Sequence, residues 1–240
     1  YGHFYQFPEL YRYYRNMERN VDGGWNYAGN PNLGPEKTIL YEVGYEQQFG
    51  RSVYGSLTGF YKDIDGLIDM EERGVSVSSR YKYYQYVNSG YGNVRGFEVM
   101  LQNQRYMGFQ LNSSYTFMIA RGRGGNARQG FLIQFNNQAP RTEDYPLEWD
   151  QRHTYQVGLD YRTPVELGYA AGGWGGNIQY NYNSGIPYSS SSRGITPPIN
   201  DKRYPSTTSV DLLLSKDIPT INGTNLMLFV EVLNLMDKIN

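Results

Sequence analysis

Apolar and polar residues trade places at every second position over one stretch of the chain after another, and Phe109 to Ile119 is the clearest case. Phe109, Leu111, Tyr115, Phe117 and Ile119 fall on one side, interrupted only by Ser113, while Gln110, Asn112, Ser114 and Thr116 fall on the other. Side chains of a β-strand alternate between faces with period two, so this pattern predicts a strand with one greasy and one wet face. Thr38 to Phe49 repeats it, with Ile39, Tyr41, Val43, Tyr45 and Phe49 opposed to Glu42, Glu46 and Gln48. After the minimal turn Gly50-Arg51-Ser52, Val53 to Ile64 predicts the second arm of a hairpin. Tyr81 to Val87 and Val94 to Gln102 read as strands, with Gly90, Gly92 and Gly96 marking a kink or bulge. Tyr155 to Tyr161, Ile178 to Tyr182, and a last hairpin of Val210 to Leu214 with Leu226 to Val232 complete about eight strands.

The connections carry a second pattern. Links after Phe49, Gln104, Arg162 and Lys216 are short or moderate, whereas those after Ile64, Ile119 and Asn183 are long. Arg121 to Asp150, rich in Gly, Asn and Pro, and Ser184 to Pro205, with Ser189 to Ser192 and Pro197-Pro198, are predicted loops. Glu71, Glu72 and Arg73 are placed in the connection after Ile64. Strands of about 9 to 12 residues match the length a tilted strand needs to cross a bilayer. Short turns at one end and long loops at the other are the habit of outer-membrane barrels.

Composition narrows this picture. The 240 residues carry 22 basic and 23 acidic side chains, a formal net charge of -1, which is not the basic footprint of a nucleic-acid binder. There is no cysteine, so disulfides, thiolate metal sites and cysteine nucleophiles are excluded. No apolar run approaches the roughly 20 residues of a membrane helix. The mean hydropathy of -0.64 does not decide against a membrane strand protein, whose lipid-facing residues are diluted by lumen and loop residues. Tyrosine (25) and glycine (28) are abundant, and tyrosine suits the headgroup level, with its ring buried and hydroxyl wet.

Candidate chemistry is sparse. His3 and His153 are the two histidines and neither lies in a ligand-spaced motif, so no metal site is expected. Asp150 and His153 lack a G-x-S-x-G elbow, and the chain is not expected to be an enzyme or to hold a cofactor. The glycines from Gly122 to Gly130 do not open a helix after a strand and read as a surface loop. Glu71-Glu72 and Glu143-Asp144 read as solvated charges, and Tyr81, Tyr83, Tyr84 and Tyr86 as packing or girdle residues. The sequon Asn222-Gly223-Thr224 carries no weight. No ligand-binding residue is assigned; Arg121 to Asp150 and Ser184 to Pro205 are where ligand or partner contacts are expected.

Asn30-Pro31-Asn32-Leu33-Gly34-Pro35-Glu36-Lys37-Thr38, followed by Tyr41 to Glu46, resembles the NP-x-L-x-PE-x-T stretch that leads into a barrel strand of TonB-dependent outer-membrane receptors. Gly59 to Ile64, Tyr86 to Gly90 with Arg95 to Glu98, Trp149 to Thr154 and Val232 to Lys238 are similar to further family pieces, in the family's order. The resemblance implies an all-β fold, an antiparallel transmembrane β-barrel, of which residues 1–240 are the C-terminal portion with roughly 8 to 10 strands of about 22. It implies a bacterial outer-membrane location and lipid contact. Its implied partners are an N-terminal plug domain, a TonB-type energising protein and an extracellular ligand of the siderophore, cobalamin or oligosaccharide class. Plug and closing strand are expected to lie outside this sequence. Two other readings stand at this point: a non-energised outer-membrane pore, and a structural or adhesive β-protein that binds carbohydrate.

Overall fold

The computed structural model describes residues 1–15, 27–74, 82–124, 126–127, 130–131, 133, 143–190, 198–219 and 224–236. Among them no helix is long and apolar enough to cross a membrane. The wall is an antiparallel sheet of nine strands in the order β1 (Gly2–Gln6), β3 (Glu36–Phe49), β4 (Val53–Gly74), β5 (Lys82–Asn103), β6 (Phe109–Arg123), β8 (His153–Arg162), β9 (Trp174–Asn183), β12 (Thr207–Pro219) and β13 (Asn225–Val232). Two short strands lie off this path: β2 (Tyr27–Ala28) runs parallel to β5, and β7 (Tyr145–Pro146) pairs with β6. A separate two-stranded piece joins β10 (Pro187–Tyr188) to β11 (Lys202–Arg203). Helix α1 (Leu10–Tyr14) lies between β1 and β2.

Register turns the alternation of single strands into continuous faces. Tyr41 stands opposite Tyr61, Leu57 opposite Val99, and Phe97 opposite Phe117. One row runs unbroken from Leu111 through Leu159, Ile178 and Leu212 to Val232. A one-residue slip anywhere would send these residues to the other face, so the pairing is fixed by the pattern itself. The opposite face presents Gln102, Asn112, Gln156, Asn177, Gln179 and Asn181. The apolar row ends in charge at the long-loop end, with Asp63 on β4, Arg95 on β5 and Arg121 on β6, all exposed.

Two strands run far past that line. β4 and β5 are each 22 residues long. Residues 66–74 and 82–90 therefore project about 30 Å beyond it, at about 3.3 Å per residue. Glu71, Glu72 and Arg73, expected in a connection, are paired with Gln85, Tyr84 and Tyr83. The expected strands at Tyr81 to Val87 and Val94 to Gln102 are one strand, with Tyr81 itself outside the described residues. Alternation fails to announce this part because the projecting hairpin has no lipid face to keep apolar. The expected bulge is present: the ladder is displaced by one residue where Leu67 meets Gly90 and restored where Asp69 meets Val87. Gly66, at φ +71, supplies the left-handed residue that the displacement needs. β1 had no counterpart in the sequence reading, since five residues are too few to show a period.

The long loops fold back over the polar face and bury most of the core there. Leu33, Ile68, Met70, Tyr84, Tyr86 and Phe131 form one cluster, and Val94, Ala120 and Leu147 a second, flanked by Phe60, Ile64 and Met118. The apolar face stays bare: Val43, Leu57, Leu228 and Val230 are each at least half exposed.

Candidate functional site at the loop end of the polar face

The segment leading into β3 is tied to the projecting hairpin by amide side chains. Asn30 donates to the carbonyl of Tyr86 at 2.9 Å and accepts the N–H of Asn32 at 3.0 Å. Asn88 accepts the N–H of Gly34 at 2.8 Å and donates to the carbonyls of Gly34 and Gly66 at 3.0 and 2.8 Å. Asn88 sits at the displaced rung, where its amide takes up the carbonyl of Gly66 left out of the ladder, and the same side chain holds Gly34 of the segment entering β3. Glu36 accepts the N–H of Ile68 at 3.1 Å. The Asn30–Thr38 and Tyr86–Gly90 motifs, about fifty residues apart in sequence, thus form one joint.

A second joint is built on Asp150, which is fully buried. Its carboxylate accepts the N–H of Ala120 at 2.7 Å and forms ion pairs with Arg152 at 3.0 Å and with Arg203. Arg203 also donates to the backbone carbonyls of Asp150 at 2.6 Å and Gly185 at 3.1 Å. A buried carboxylate is tolerable only when paired and hydrogen-bonded, and both conditions hold. The joint ties Asp150 and Arg152, at the end of the first predicted contact loop, to Gly185 and Arg203 of the second.

Between these joints lies a cavity of about 650 Å³ lined by Gln6, Tyr11, Arg12, Glu36, Thr38, Ile64, Leu67, Ile68, Met70, Tyr86, Gly124, Asn126, Ala127 and Trp149. Thr38 pairs with Ile64 on the polar face, so the cavity opens inward from the wall. Tyr11 meets Tyr86 edge-on at 6.3 Å, and the Arg12 guanidinium lies 6.0 Å from the Tyr86 ring. Asn126 is held by both carboxylate oxygens of Glu148 at 2.8 Å. The lining offers aromatic faces, one cation and amide groups, a surface suited to a small polar solute with flat or charged parts. Beyond it, Asp69 has its carboxyl pushed up to about 6, first by burial, against a hydrogen bond from the N–H of Met70 and with help from Glu71.

A family model described as "TonB dependent receptor-like, beta-barrel" matches residues 1–235. The chain belongs to the TonB-dependent receptor family. Its wall is accordingly part of an outer-membrane barrel, its apolar face is the lipid face, and its polar face is the lumen side. Among solved structures, the outer membrane transporter YddB from Escherichia coli superposes with a TM-score of 0.60 at 13% identity, over 90% of this chain and 31% of that one. The copper transporter OprC gives 0.58 at 15% identity, over 98% and 30%. The ferripyoverdine receptor of Pseudomonas aeruginosa, bound to ferripyoverdine, gives 0.58 at 16%, over 98% and 26%. The chain spans under a third of the length of these receptors. No curated protein matches the sequence. Family and neighbours are receptors and transporters rather than enzymes.

Of the predicted contact loops, Arg121 to Asp150 supplies Gly124, Asn126, Ala127 and Trp149 to the cavity. Asn136, Asn137 and Pro140 lie outside the described residues. Ser184 to Pro205 lines a neighbouring hollow of about 450 Å³ with Ser184, Gly185, Ile186, Tyr204 and Pro205. Ser191, Ser192 and Pro197 lie outside the described residues, as does Asn222 of the sequon. His3 sits beside Tyr1, and His153 stacks on Tyr115 of the lipid face and bonds its hydroxyl at 2.8 Å. Among the described residues no three His, Asp or Glu side chains converge as a metal site would require. Gln6, Tyr11 and Arg12 were not expected in the site. The Tyr-Arg run of residues 11–15 was their signal, an aromatic and cationic cluster outside any alternating strand.

Proposed function

We propose that residues 1–240 form part of the barrel domain of a receptor that binds a scarce nutrient at its outer mouth and imports it. The parent protein would add an N-terminal plug within the lumen, further barrel strands, and coupling to a TonB-type energising protein. The observation that carries the reading is the 650 Å³ cavity on the lumen side of the loop end, where Tyr11, Arg12, Tyr86 and Trp149 face one space. Neighbours named as siderophore and metal receptors, including the ferric-catecholate import receptor Fiu and a ferric yersiniabactin uptake receptor, put ferric chelates first among the ligand classes. Cobalamin and oligosaccharides are the other classes to test.

The test uses the full-length protein in detergent. Tryptophan fluorescence is titrated with a panel of ferric siderophores, cobalamin and neutral oligosaccharides. For the ligand that binds, R12A combined with W149A is expected to weaken affinity at least about tenfold, the scale of one or two lost aromatic or charged contacts, with heat-modifiable migration unchanged. Unchanged affinity in a folded double variant would remove the cavity from the binding site.

A further inference from the structure

The link from β8 to β9 is short, yet it is folded. Val165–Leu167 makes a 3-10 turn that continues into a helical turn at Gly168–Ala171. Lys216 of β12 donates its ammonium to the carbonyls of Tyr169, at 2.8 Å, and Gly172. Lys216 stands in the lipid-facing row, in register with Trp174 on one side and Leu228 on the other. Its Nζ lies 4.8 Å from the centroid of the Trp174 ring, and the indole N–H of Trp174 donates to the carbonyl of Ala170 at 2.9 Å. These bonds hold the turn against the outer side of the wall, away from the lumen.

Held there, the turn shows solvent its apolar side chains. Val165, Leu167, Tyr169 and Trp174 are 55%, 59%, 71% and 50% exposed. On the same face and at the same end, Phe109 and Tyr161 close the lipid row with ring centroids 4.4 Å apart, and the next turn carries exposed Tyr106 and Met107. A periplasmic turn surrounded by water gains nothing from such a patch, whereas the boundary between headgroups and acyl chains accommodates it. The patch is continuous with the lipid face. Its ammonium, on Lys216, is occupied by backbone carbonyls, and the exposed carboxylate of Glu166 is the one acidic group of the turn and has to stay on the headgroup side.

We propose that residues 165–174 form an interfacial foot that lies in the phospholipid leaflet on the short-turn side, with Leu167, Tyr169 and Trp174 inserted at the headgroup boundary. The test places a nitroxide at L167C, and separately at Y169C, in the full-length protein reconstituted in phosphatidylethanolamine–phosphatidylglycerol vesicles. Collision with oxygen and with a water-soluble nickel chelate is compared by electron paramagnetic resonance against V157C, within the lipid band, and K202C, in an aqueous loop. Both foot positions are expected to favour oxygen over nickel several-fold, between the two references. Nickel accessibility equal to that at K202C would overturn the proposal. So would a label exposed to nickel in vesicles but shielded from both probes in native outer membranes, since that identifies a protein partner.

Discussion

Val157 offers the most direct test of which face meets lipid. The outward positions of β8 are His153, Tyr155, Val157, Leu159 and Tyr161, and Val157 is the middle one, flanked in register by Ser113 and Tyr180. Each outward step covers about 6.7 Å of strand, or about 5 Å of depth at the usual tilt, so Val157 lies about 10 Å from either boundary. No acidic side chain stands beside it in its row, and V157R would place an unpaired guanidinium near the midplane. The expected cost is about 2 to 4 kcal/mol, or roughly a 30- to 700-fold fall in the folded to unfolded ratio. Gln156, one residue away, faces the lumen between Ser114 and Asn181, and Q156R is expected to stay within about 0.5 kcal/mol. Phe117, opposite His153, and Leu228, opposite Lys216, lie nearer the two boundaries, so arginine there should cost about 1 kcal/mol, and N112R on the lumen face almost nothing. The assay is reversible urea unfolding of the full-length protein in lipid vesicles, followed by tryptophan emission. Equal penalties at Val157 and Gln156 would refute the assigned faces.

Replacing Asp150 with Ala leaves two arginines, each about one third exposed, and an unpaired N–H at Ala120; a loss of about 3 kcal/mol and faster proteolysis within residues 184–206 are expected, read by thermal melting and limited digestion. A Cβ at Gly96 would stand 2.0 Å from the carbonyl oxygen of Phe117 and 2.8 Å from the Phe60 ring, so G96A should cost at least about 1 to 3 kcal/mol in urea unfolding. Asp69 is an acid whose folded value is raised to about 6, above an unfolded value near 3.9, so its neutral form is favoured on folding and its ionisation opposes folding as pH rises between those values. D69N should therefore raise the melting temperature relative to the parent at pH 8 and leave it unchanged at pH 4.

Much of the wall was legible because lipid and lumen impose opposite chemistry on neighbouring residues. Phe109 to Ile119 shows the rule, and the register from β3 to β13 follows it. Where the chain leaves the membrane the constraint lapses, and legibility lapses with it: Glu71 to Arg73 are paired strand residues that read as a connection. The site was half legible. Composition marked Arg121 to Asp150 and Ser184 to Pro205 as loops, but not the buried pairing of Asp150 with Arg203, which joins residues 53 positions apart. Motifs such as Asn30 to Thr38 and Tyr86 to Gly90 carried family likeness in the sequence; only their meeting at Asn88 shows what physical task they share.

The displaced rung at Gly66 also governs which changes of length the chain can survive. Its extra residue on β4 is balanced by one on β5 near Asn88, so Met70 and Tyr86 still meet on the same side. Losing Gly66 alone would turn Ile68 and Met70 away from Tyr84 and Tyr86 and empty the cluster that floors the cavity. Losing one residue from each arm would restore the match. Insertions and deletions in relatives of this chain should therefore come in pairs across residues 66 and 88–89, while the stretch joining the two arms varies singly.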